Sequence, residues 1–275
     1  MALDVLLERL APSIEVSTGA ELPDPADFHI LVAGYPTREH LAASPNLQAV
    51  IIPFAGPPES TRRLLADFPH VTVHNLHHNT VPTAEMALAL LLAAARFIVP
   101  ADRRLREGDW TLRHEPAPTM ILHGKTALIL GYGAVGQHVG RVCQALGMRL
   151  LAVRRNPQVN GPPDIAAEVH GPDRLRELLP RADALIITLP LTEETRGLIG
   201  AEELVLLPDG ALLINVGRGP VVDEAALYHG LTSGKPAAAG LDVWYVYPET
   251  AEDRTHTMPS RLPFHELDNV VMSPH

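Results

Sequence analysis

The stretch LILGYGAVGQHVG, residues 128–140, places Gly131, Gly133 and Gly136 directly after an apolar run and at the start of a helical pattern. The first glycine permits a tight turn, the second lets a pyrophosphate approach the backbone, and the third lets helix and strand pack closely. The first helical residues, Ala134 and Val135, belong to a turn whose backbone N–H groups are free to bind phosphate. Because a second strand follows at the right interval, we predict a dinucleotide-binding turn; a turn used only for packing is the alternative.

The second strand, RLLAVRRNP at residues 149–157, should end beside the adenosine ribose of such a dinucleotide. An Asp or Glu at that position would accept hydrogen bonds from the ribose hydroxyls and repel a 2′-phosphate. The chain has Arg154 and Arg155 instead, and two guanidinium groups favour a 2′-phosphate through charge and bidentate geometry. We therefore predict that NADP(H) is preferred and that NAD(H) is possible, unless the two arginines are merely exposed at a strand end.

Apolar strands alternate with helical patterns along most of the chain, which predicts parallel sheets covered by helices. Strand-like runs begin near residue 28, a long apolar helix follows from Thr83 to Arg96, and a second series of strands starts after residue 124. We predict an α/β protein with two domains. Residues 1–100 form a smaller flavodoxin-like substrate domain, and residues 101–275 form a Rossmann domain with a doubly wound parallel sheet.

Composition excludes several classes of partner. The chain has 275 residues and a formal net charge of −10, which argues against nucleic acid or an anionic membrane as a partner. The single cysteine, Cys143, cannot form an internal disulfide and fits a reducing compartment. Charged residues interrupt the first apolar segment, so we predict no signal peptide and a cytoplasmic protein. Three histidines at 74, 77 and 78 lack a cysteine partner, and we predict no metal site.

Six segments, in order, resemble the D-isomer-specific 2-hydroxyacid dehydrogenases of the phosphoglycerate dehydrogenase and glyoxylate/hydroxypyruvate reductase type. They are the glycine turn already described and HNTVPTAEMALAL (78–90), LPLTEETRGLIG (189–200), LLINVGRGPVVDEAAL (212–227), GLDV (240–243) and ELDNVVMSPH (266–275). The resemblance implies a reversible hydride transfer between a nicotinamide cofactor and a small 2-keto or 2-hydroxy acid, in a cleft between two domains. It also implies a homodimer formed through the apolar helix.

The resemblance assigns roles to particular residues. His275 would be the general acid or base, and Arg218 would bind the substrate carboxylate and polarise its carbonyl group. Ala55 and Gly56, in the loop FAGPP, would add backbone contacts to the carboxylate, and Asn79 would supply a further polar contact. Asp242 would approach the nicotinamide; Pro190 and Val216 would line the cofactor site.

The sequence departs from the family at the partner of the histidine. Most members have a glutamate five residues after the aspartate of GLDV, whereas this chain has Tyr247 in the aromatic stretch WYVY, residues 244–247. A carboxylate beside an imidazole favours the imidazolium, and a neutral phenol does so far less. We predict that Tyr247 orients His275 and that ketoacid reduction has an acid-shifted optimum; Glu249 and Glu266 are alternative carboxylates away from the matching position.

The same departure leaves two other functions open. One is formate-like or other non-ketoacid chemistry, because the formate dehydrogenases of the superfamily also lack this glutamate. The other is a dinucleotide-sensing protein without turnover. The loop FAGPP is stiffer and more apolar than the family's glycine-rich loop, so the sequence does not name the substrate. In the family the chain continues past the catalytic histidine through a loop and a helix, so an extension beyond His275 is also open.

Overall fold

The structure is a computed structural model that describes residues 2–19, 21–54, 59–76, 78–116, 118–158 and 166–275, with the side chains of residues 2, 3 and 59 left aside. Contacts divide the chain into two compact units, residues 1–78 and 79–275.

The first unit has a three-stranded parallel sheet in the order β1-β2-β3. Its core lies on one side of the sheet, where Val50 and Ile52 of the central strand pack against Leu41 and Leu65 of the helices. The elements are α1 (Ala2–Arg9), β1 (Ile30–Val32), α2 (Arg38–Ala43), β2 (Ala49–Ile52), α3 (Glu59–Ala66) and β3 (Thr72–Asn75). The strands begin just after residue 28, where the sequence predicted the first strand-like runs, and a helix precedes them.

The helices of the second unit are α4 (Thr80–Arg96), α5 (Ile98–Arg106), α6 (Thr111–His114), α7 (Ala134–Ala145), α8 (Leu175–Leu178), α9 (Ala201–Leu206) and α10 (Glu224–Ser233). Its strands are β4 (Thr126–Leu130), β5 (Arg149–Val153), β6 (Ala167–His170), β7 (Ala184–Ile187), β8 (Leu212–Asn215), β9 (Ala238–Leu241) and β10 (Val270–Met272).

These seven strands form one parallel sheet in the order β10-β9-β8-β7-β4-β5-β6. The order reverses between β4 and β7, so the carboxyl ends of these two strands flank a topological switch point, where α/β sheets bind ligands. One core covers each face of the sheet: Leu128 and Leu185 point to one side, Ile129 and Ile186 to the other. The predicted α/β class with a Rossmann sheet is confirmed.

Helix α4 belongs to the second unit, although the sequence placed it before a boundary near residue 100. Ala87, Leu91 and Ala95 are completely buried in the same core as Ile129 of the sheet. The helix backbone approaches β9 so closely that a Cβ on Gly240 would lie 2.7 Å from the Cβ of Leu90. The helix begins at Thr80 rather than Thr83, so its first turn lacks an acidic residue.

In the described part of the chain, no single helix is long and apolar enough to cross a membrane. Helices α4 and α5 pass the same test of length and composition only when taken together, and they are bent by 65° at the break between them.

Candidate active site

The glycine turn connects β4 to α7 in the conformation that its three glycines predict. Gly131 has φ +104°, a left-handed value that disfavours any side chain. A Cβ on Gly136 would lie 2.4 Å from the Gly131 carbonyl oxygen, so only glycine fits there. At Gly133 a Cβ would meet no protein atom within 4 Å. The turn is thus closed on the protein side and open on the side where a ligand would lie.

The first turn of α7 starts beside this open space. Gly133 is the N-cap and supplies no side-chain hydrogen bond to the helix. Gly133 and Ala134 are exposed, and Val135 is half-buried. The turn is held from behind by Thr188, whose hydroxyl donates a hydrogen bond of 2.6 Å to the Gly131 carbonyl oxygen. These are the properties of a phosphate-binding helix start.

The two arginines lie at the carboxyl end of β5, as predicted. The Arg154 amide donates to the His170 carbonyl oxygen at 3.0 Å, which ties the strand end to β6. Arg155 is exposed. A hydrogen bond from Thr192 lowers the pKa of the Glu194 carboxyl, and the positive charge of Arg155 lowers it to a smaller degree, so Arg155 lies near Glu194. Two positive charges therefore stand at the carboxyl end of β5.

The loops after β7 and β8 contain the other predicted cofactor contacts. The Pro190 carbonyl oxygen accepts a hydrogen bond of 2.8 Å from the Thr195 hydroxyl, which fixes the loop. Val216 is buried, and its amide donates to the Ile187 carbonyl oxygen at 3.1 Å. Both residues follow strands next to the switch point, so they lie at the same edge of the sheet as the glycine turn.

Arg218 is held in a tightly packed loop after β8. The buried Asn215 fixes this loop at both ends: its side chain accepts from the Gly217 amide at 3.0 Å and donates to the Arg218 carbonyl oxygen at 3.1 Å. Arg218 also donates through Nη1 to the Gly217 carbonyl oxygen at 2.7 Å. The side chain is half-buried. This rigid support suits a guanidinium that must meet a carboxylate in one orientation.

Asp242 follows β9 and is 6 % exposed. Its Oδ1 atom is buried and has no hydrogen-bond partner among the described residues. An unsatisfied buried carboxylate oxygen is costly unless a ligand supplies the missing donor.

The structure brings Tyr247 and His275 together. The Tyr247 hydroxyl lies 3.4 Å from Nδ1 of His275, and the two rings are tilted by 56° with centroids 6.0 Å apart. Burial raises the pKa of the Tyr247 hydroxyl; the Trp244 amide and the charge of Arg218 oppose that rise, and the charge of Asp242 adds to it. Arg218, Asp242, Tyr247 and His275 therefore form one cluster.

The remaining aromatic residues of this stretch belong to the core. Trp244 is 4 % exposed, and Tyr245 packs against Phe264 in a stacked arrangement with centroids 6.4 Å apart. The Tyr245 hydroxyl donates to the Val222 carbonyl oxygen at 3.1 Å, and burial raises its pKa. The sequence analysis included Trp244 in the aromatic stretch but gave it no role, although its contacts reach the cluster; its place between Asp242 and Tyr247 was the available signal.

Several predicted site residues are not part of this cluster. Ala55 and Gly56 lie outside the described residues, as does His77. Asn79 is exposed at the N-terminus of α4 and does not cap the helix with its side chain. Neither Glu249 nor Glu266 replaces the expected glutamate among the described contacts: Glu249 is exposed in the loop after Tyr247, and Glu266 pairs only with His265, at 3.8 Å. No group of three His, Cys, Asp or Glu residues able to hold a metal occurs in the described ranges.

A cavity of about 470 Å³ lies at the opposite, amino-terminal edge of the sheet, lined in part by Thr126, Arg149, Glu168, Arg181 and Asp183. Its size does not make it the active site, because the open glycine turn and the unsatisfied Asp242 are at the carboxyl edge. Ligands of open parallel sheets bind at that edge.

The residues present fit a nicotinamide dinucleotide. The open face at Gly133 and the uncapped start of α7 would take the pyrophosphate, Arg154 and Arg155 would lie near the adenosine ribose, and the free oxygen of Asp242 would accept a hydrogen bond from the nicotinamide end. The fold and this edge define a dinucleotide-binding α/β domain.

Comparison with known proteins supports the assignment of a dinucleotide-binding domain. Residues 88–275 match the family model for the NAD binding domain of D-isomer specific 2-hydroxyacid dehydrogenases, so the chain belongs to that family. It is 40 % identical over 197 residues to a D-3-phosphoglycerate dehydrogenase of Archaeoglobus fulgidus, covering 72 % of this chain and 35 % of that protein. It is 41 % identical over 201 residues to a glyoxylate reductase of Aeropyrum pernix, covering 71 % and 56 %. The chain thus spans about half or less of these relatives.

Among solved structures, a D-isomer specific 2-hydroxyacid dehydrogenase from Xanthobacter autotrophicus Py2, in complex with NADPH and MES, has a TM-score of 0.74 and 32 % identity. The match covers 92 % of this chain and 75 % of that one. The resemblance predicted from the six sequence segments is therefore confirmed.

Proposed function

We propose that the protein reduces small 2-keto acids to D-2-hydroxy acids with a nicotinamide dinucleotide, and catalyses the reverse oxidation. The observation that carries this proposal is the cluster of Arg218, Asp242, Tyr247 and His275 at the edge of the sheet that holds the glycine turn. A carboxylate-binding cation and a proton-transfer group are the two functions that this reaction requires of the protein. The names of the relatives support the same reaction class.

Arg218 binds the carboxylate of the substrate in this proposal. Its guanidinium forks around two carboxylate oxygens, and its positive charge also stabilises negative charge that develops on the carbonyl oxygen. The glycines on either side leave the loop no space to move: a Cβ on Gly217 would lie 2.5 Å from the Leu189 carbonyl oxygen, and one on Gly219 would lie 2.3 Å from that of Trp244.

His275 exchanges the proton. In reduction, the imidazolium donates a proton from Nε2 to the carbonyl oxygen while the cofactor, when bound, supplies the hydride to the carbonyl carbon. In oxidation, neutral His275 removes the hydroxyl proton. Tyr247 meets the other ring nitrogen, Nδ1, and so leaves Nε2 free for the substrate. The reaction balances as keto acid, reduced dinucleotide and one proton giving hydroxy acid and oxidised dinucleotide.

The cofactor is NADP(H) in preference to NAD(H) in this proposal, because Arg154 and Arg155 stand where an acidic residue would otherwise bind the ribose hydroxyls. The Xanthobacter structure was solved with NADPH. Exchange of both arginines for glutamine should lower NADPH affinity at least tenfold and leave NADH affinity within about twofold, since only the 2′-phosphate is lost as a partner.

The contributions of Ala55, Gly56 and Asn79 to substrate binding remain predictions, as does the cytoplasmic location. Homodimer formation is also proposed. It is supported by exposed apolar side chains on α4 and α5, with Leu92 at 42 %, Ile98 at 52 % and Leu105 at 50 % exposure. Light scattering of the purified protein measures the mass directly, and a monomer at micromolar concentration contradicts the dimer.

The test is oxidation of NADPH and NADH by the purified protein with glyoxylate, hydroxypyruvate, pyruvate and bulkier 2-keto acids, across acid to alkaline pH. We expect turnover with at least one acid, a product of D configuration, and loss of at least a thousandfold in kcat/KM for Arg218→Gln and His275→Gln. Arg254→Gln, in a loop outside the cluster, is the control. Tight dinucleotide binding without turnover would favour the sensor, and turnover only with formate and an oxidised dinucleotide would favour formate-like chemistry.

A further inference from the structure

Trp244 contacts three segments of the candidate active site at once, through its backbone and its side chain. The segments are the loop that carries Arg218, the hydroxyl of Tyr247, and the chain just before His275. The indole is buried and packs edge-on against Phe264, with centroids 6.3 Å apart and a 75° angle between the ring planes. A residue in this position can couple the placement of the three functional side chains.

The first contact is with the Arg218 loop. A Cβ on Gly219 would lie 2.3 Å from the Trp244 carbonyl oxygen and 2.6 Å from its carbonyl carbon, so the two backbones are in direct contact. Because Gly219 follows Arg218 directly, the position of the Trp244 backbone limits where the arginine can be.

The second contact is with the segment that ends in His275. The indole Nε1 donates a hydrogen bond of 2.8 Å to the Ser273 carbonyl oxygen, two residues before the histidine. The Ser273 amide in turn donates to the Leu241 carbonyl oxygen at 2.9 Å, at the end of β9. Ser273 is therefore held by its amide and its carbonyl group, and the second bond depends on a side chain that sequence reasoning did not select.

The third contact is with Tyr247. The Trp244 amide donates to the Tyr247 hydroxyl oxygen at 3.0 Å, so this oxygen already accepts one hydrogen bond. The oxygen keeps a second lone pair for Nδ1 of His275, 3.4 Å away. An acceptor at Nδ1 selects the neutral tautomer that carries its proton on Nδ1. The nitrogen that faces the substrate in the proposed reaction, Nε2, can then take up a proton in oxidation and donate it in reduction.

We propose that Trp244 is a positioning residue: its indole N–H fixes the His275 segment while its amide fixes Tyr247, so that the Tyr247 hydroxyl meets Nδ1 of His275 and Nε2 faces the substrate. The proposal rests on the proposed function, since it concerns the same site. It requires that the indole N–H, and not merely an aromatic ring at this position, places the histidine.

The test compares Trp244→Phe with Trp110→Phe. Phenylalanine keeps a ring in the core beside Phe264 and removes only the indole donor. Trp110 is the chain's other tryptophan and is 60 % exposed, so its replacement is a matched control. We measure the ¹⁵N shifts of the His275 ring nitrogens, assigned by comparison with His275→Gln, and the steady-state constants of each variant.

For Trp244→Phe we expect the Nδ1 and Nε2 shifts of His275 to move toward each other as the tautomers mix. We also expect kcat to fall about tenfold, or about 1.4 kcal/mol in the activation barrier, which lies within the range for the loss of one hydrogen bond. KM for NADPH should stay within about twofold, because the glycine turn is untouched. Trp110→Phe should change none of these.

Unchanged His275 shifts and unchanged kcat in Trp244→Phe would overturn the proposal. If that variant does not fold, Tyr247→Phe tests the same coupling, because the exposed tyrosine loses only its hydroxyl; unchanged His275 shifts would again overturn it. The ring shifts are measured without turnover. A wild-type protein without turnover whose His275 shifts respond to Trp244→Phe would therefore contradict the proposed function and leave the positioning role standing.

Discussion

Gly133 and Gly136 lie three residues apart in the same turn, but their surroundings differ. A Cβ on Gly136 would lie 2.4 Å from the Gly131 carbonyl oxygen and 3.1 Å from a methyl carbon of Ile129. A Cβ on Gly133 would meet no protein atom. Gly136 is therefore required by packing within the protein, and Gly133 by whatever occupies the space in front of the turn.

Alanine at these two positions should separate stability from cofactor binding. We expect Gly136→Ala to lower the free energy of unfolding by about 2 kcal/mol, within the range for overpacking a core. Gly133→Ala should change the free energy of unfolding by less than about 1 kcal/mol, which is the typical effect of a substitution at a helix N-cap. It should weaken NADPH binding at least tenfold. Urea unfolding and a fluorescence titration with NADPH measure the two quantities. Equal NADPH affinity in Gly133→Ala and wild type would show that the pyrophosphate does not pass there.

Tyr247 is the residue by which this chain departs most clearly from its family. In Tyr247→Glu a carboxylate faces the His275 ring, and its negative charge favours the imidazolium, the proton donor in reduction. Arg218 and Asp242 face the same position and their charges act in opposite directions. We expect the alkaline limb of kcat/KM for reduction to move upward by about one pH unit, the lower end of such charge effects.

Tyr247→Phe is the control for this pH shift, because it removes the hydroxyl without adding a charge. Its alkaline limb should not move upward, although its kcat should fall. A profile of Tyr247→Glu that coincides with wild type would show that this position does not face the histidine in the active enzyme.

At the scale of elements, β6 is the strand that the sequence pattern did not reveal. It is an edge strand with the burial pattern of a partly exposed surface, and it contains only four residues. Charged side chains tie it to the protein. Glu168 pairs with both Nη atoms of Arg181 at 2.8 and 3.1 Å and with Nε2 of His170 at 2.8 Å. Edge strands commonly carry such charges.

The Glu168 pair should stabilise the protein only above acidic pH. Hydrogen bonds from Arg181 and then His170 lower the pKa of this carboxyl from 4.5 to about 2. Since the folded pKa is the lower one, the contribution of the Glu168 pair to stability is complete above about pH 4.5 and disappears as the pH falls toward 2.

Solvent screens an exposed pair, so we expect Glu168→Gln to lower the free energy of unfolding by only about 0.5 kcal/mol at pH 7. Urea unfolding at pH 7 and pH 3 should show a smaller difference at pH 3, with the exposed Glu193→Gln neutral at both. A Glu168→Gln cost that grows at pH 3 would contradict this pH dependence.

Helix α4 was predicted correctly as a helix, but the structure places it in the second unit rather than the first. Its apolar run predicted a helix; seven of its seventeen residues are buried, whereas Leu92 is 42 % exposed. Packing decides that α4 belongs to the second unit, because its partners in the hydrophobic core include Val139 and Cys143 of α7 and Ile214 of β8.

At the scale of the whole molecule, this packing predicts which fragments fold. A fragment of residues 79–275 keeps α4 and should unfold in one cooperative transition. A fragment of residues 101–275 exposes the apolar positions that α4 covers, and it loses buried side chains such as Leu91, each of which contributes about 2–5 kcal/mol. We expect it to be insoluble or to lack a cooperative transition in calorimetry. Cooperative unfolding of both fragments would place the folding boundary near residue 100 instead.

The sequence by itself determined the α/β class, the Rossmann sheet, the glycine turn, and the residue types of the candidate site. These follow from local patterns: a strand, three glycines and a helix within thirteen residues, and strands whose apolar character shows burial on both faces. Ordered segments could also show the family, because five of the six pass the carboxyl end of a strand in one sheet. The roles given to Arg218 and His275 came from that resemblance and stay proposals.

Only the tertiary structure decided which residues meet. The family resemblance predicted that Tyr247 meets His275, 28 positions away, whereas the hydrogen bond from Trp244 to Ser273, 29 positions apart, was not predicted. No periodicity records such a contact, because it depends on how β9 and β10 align and on where the intervening loop folds. The unit to which α4 belongs was decided in the same way: an apolar helix must be buried, but its sequence does not say against which sheet.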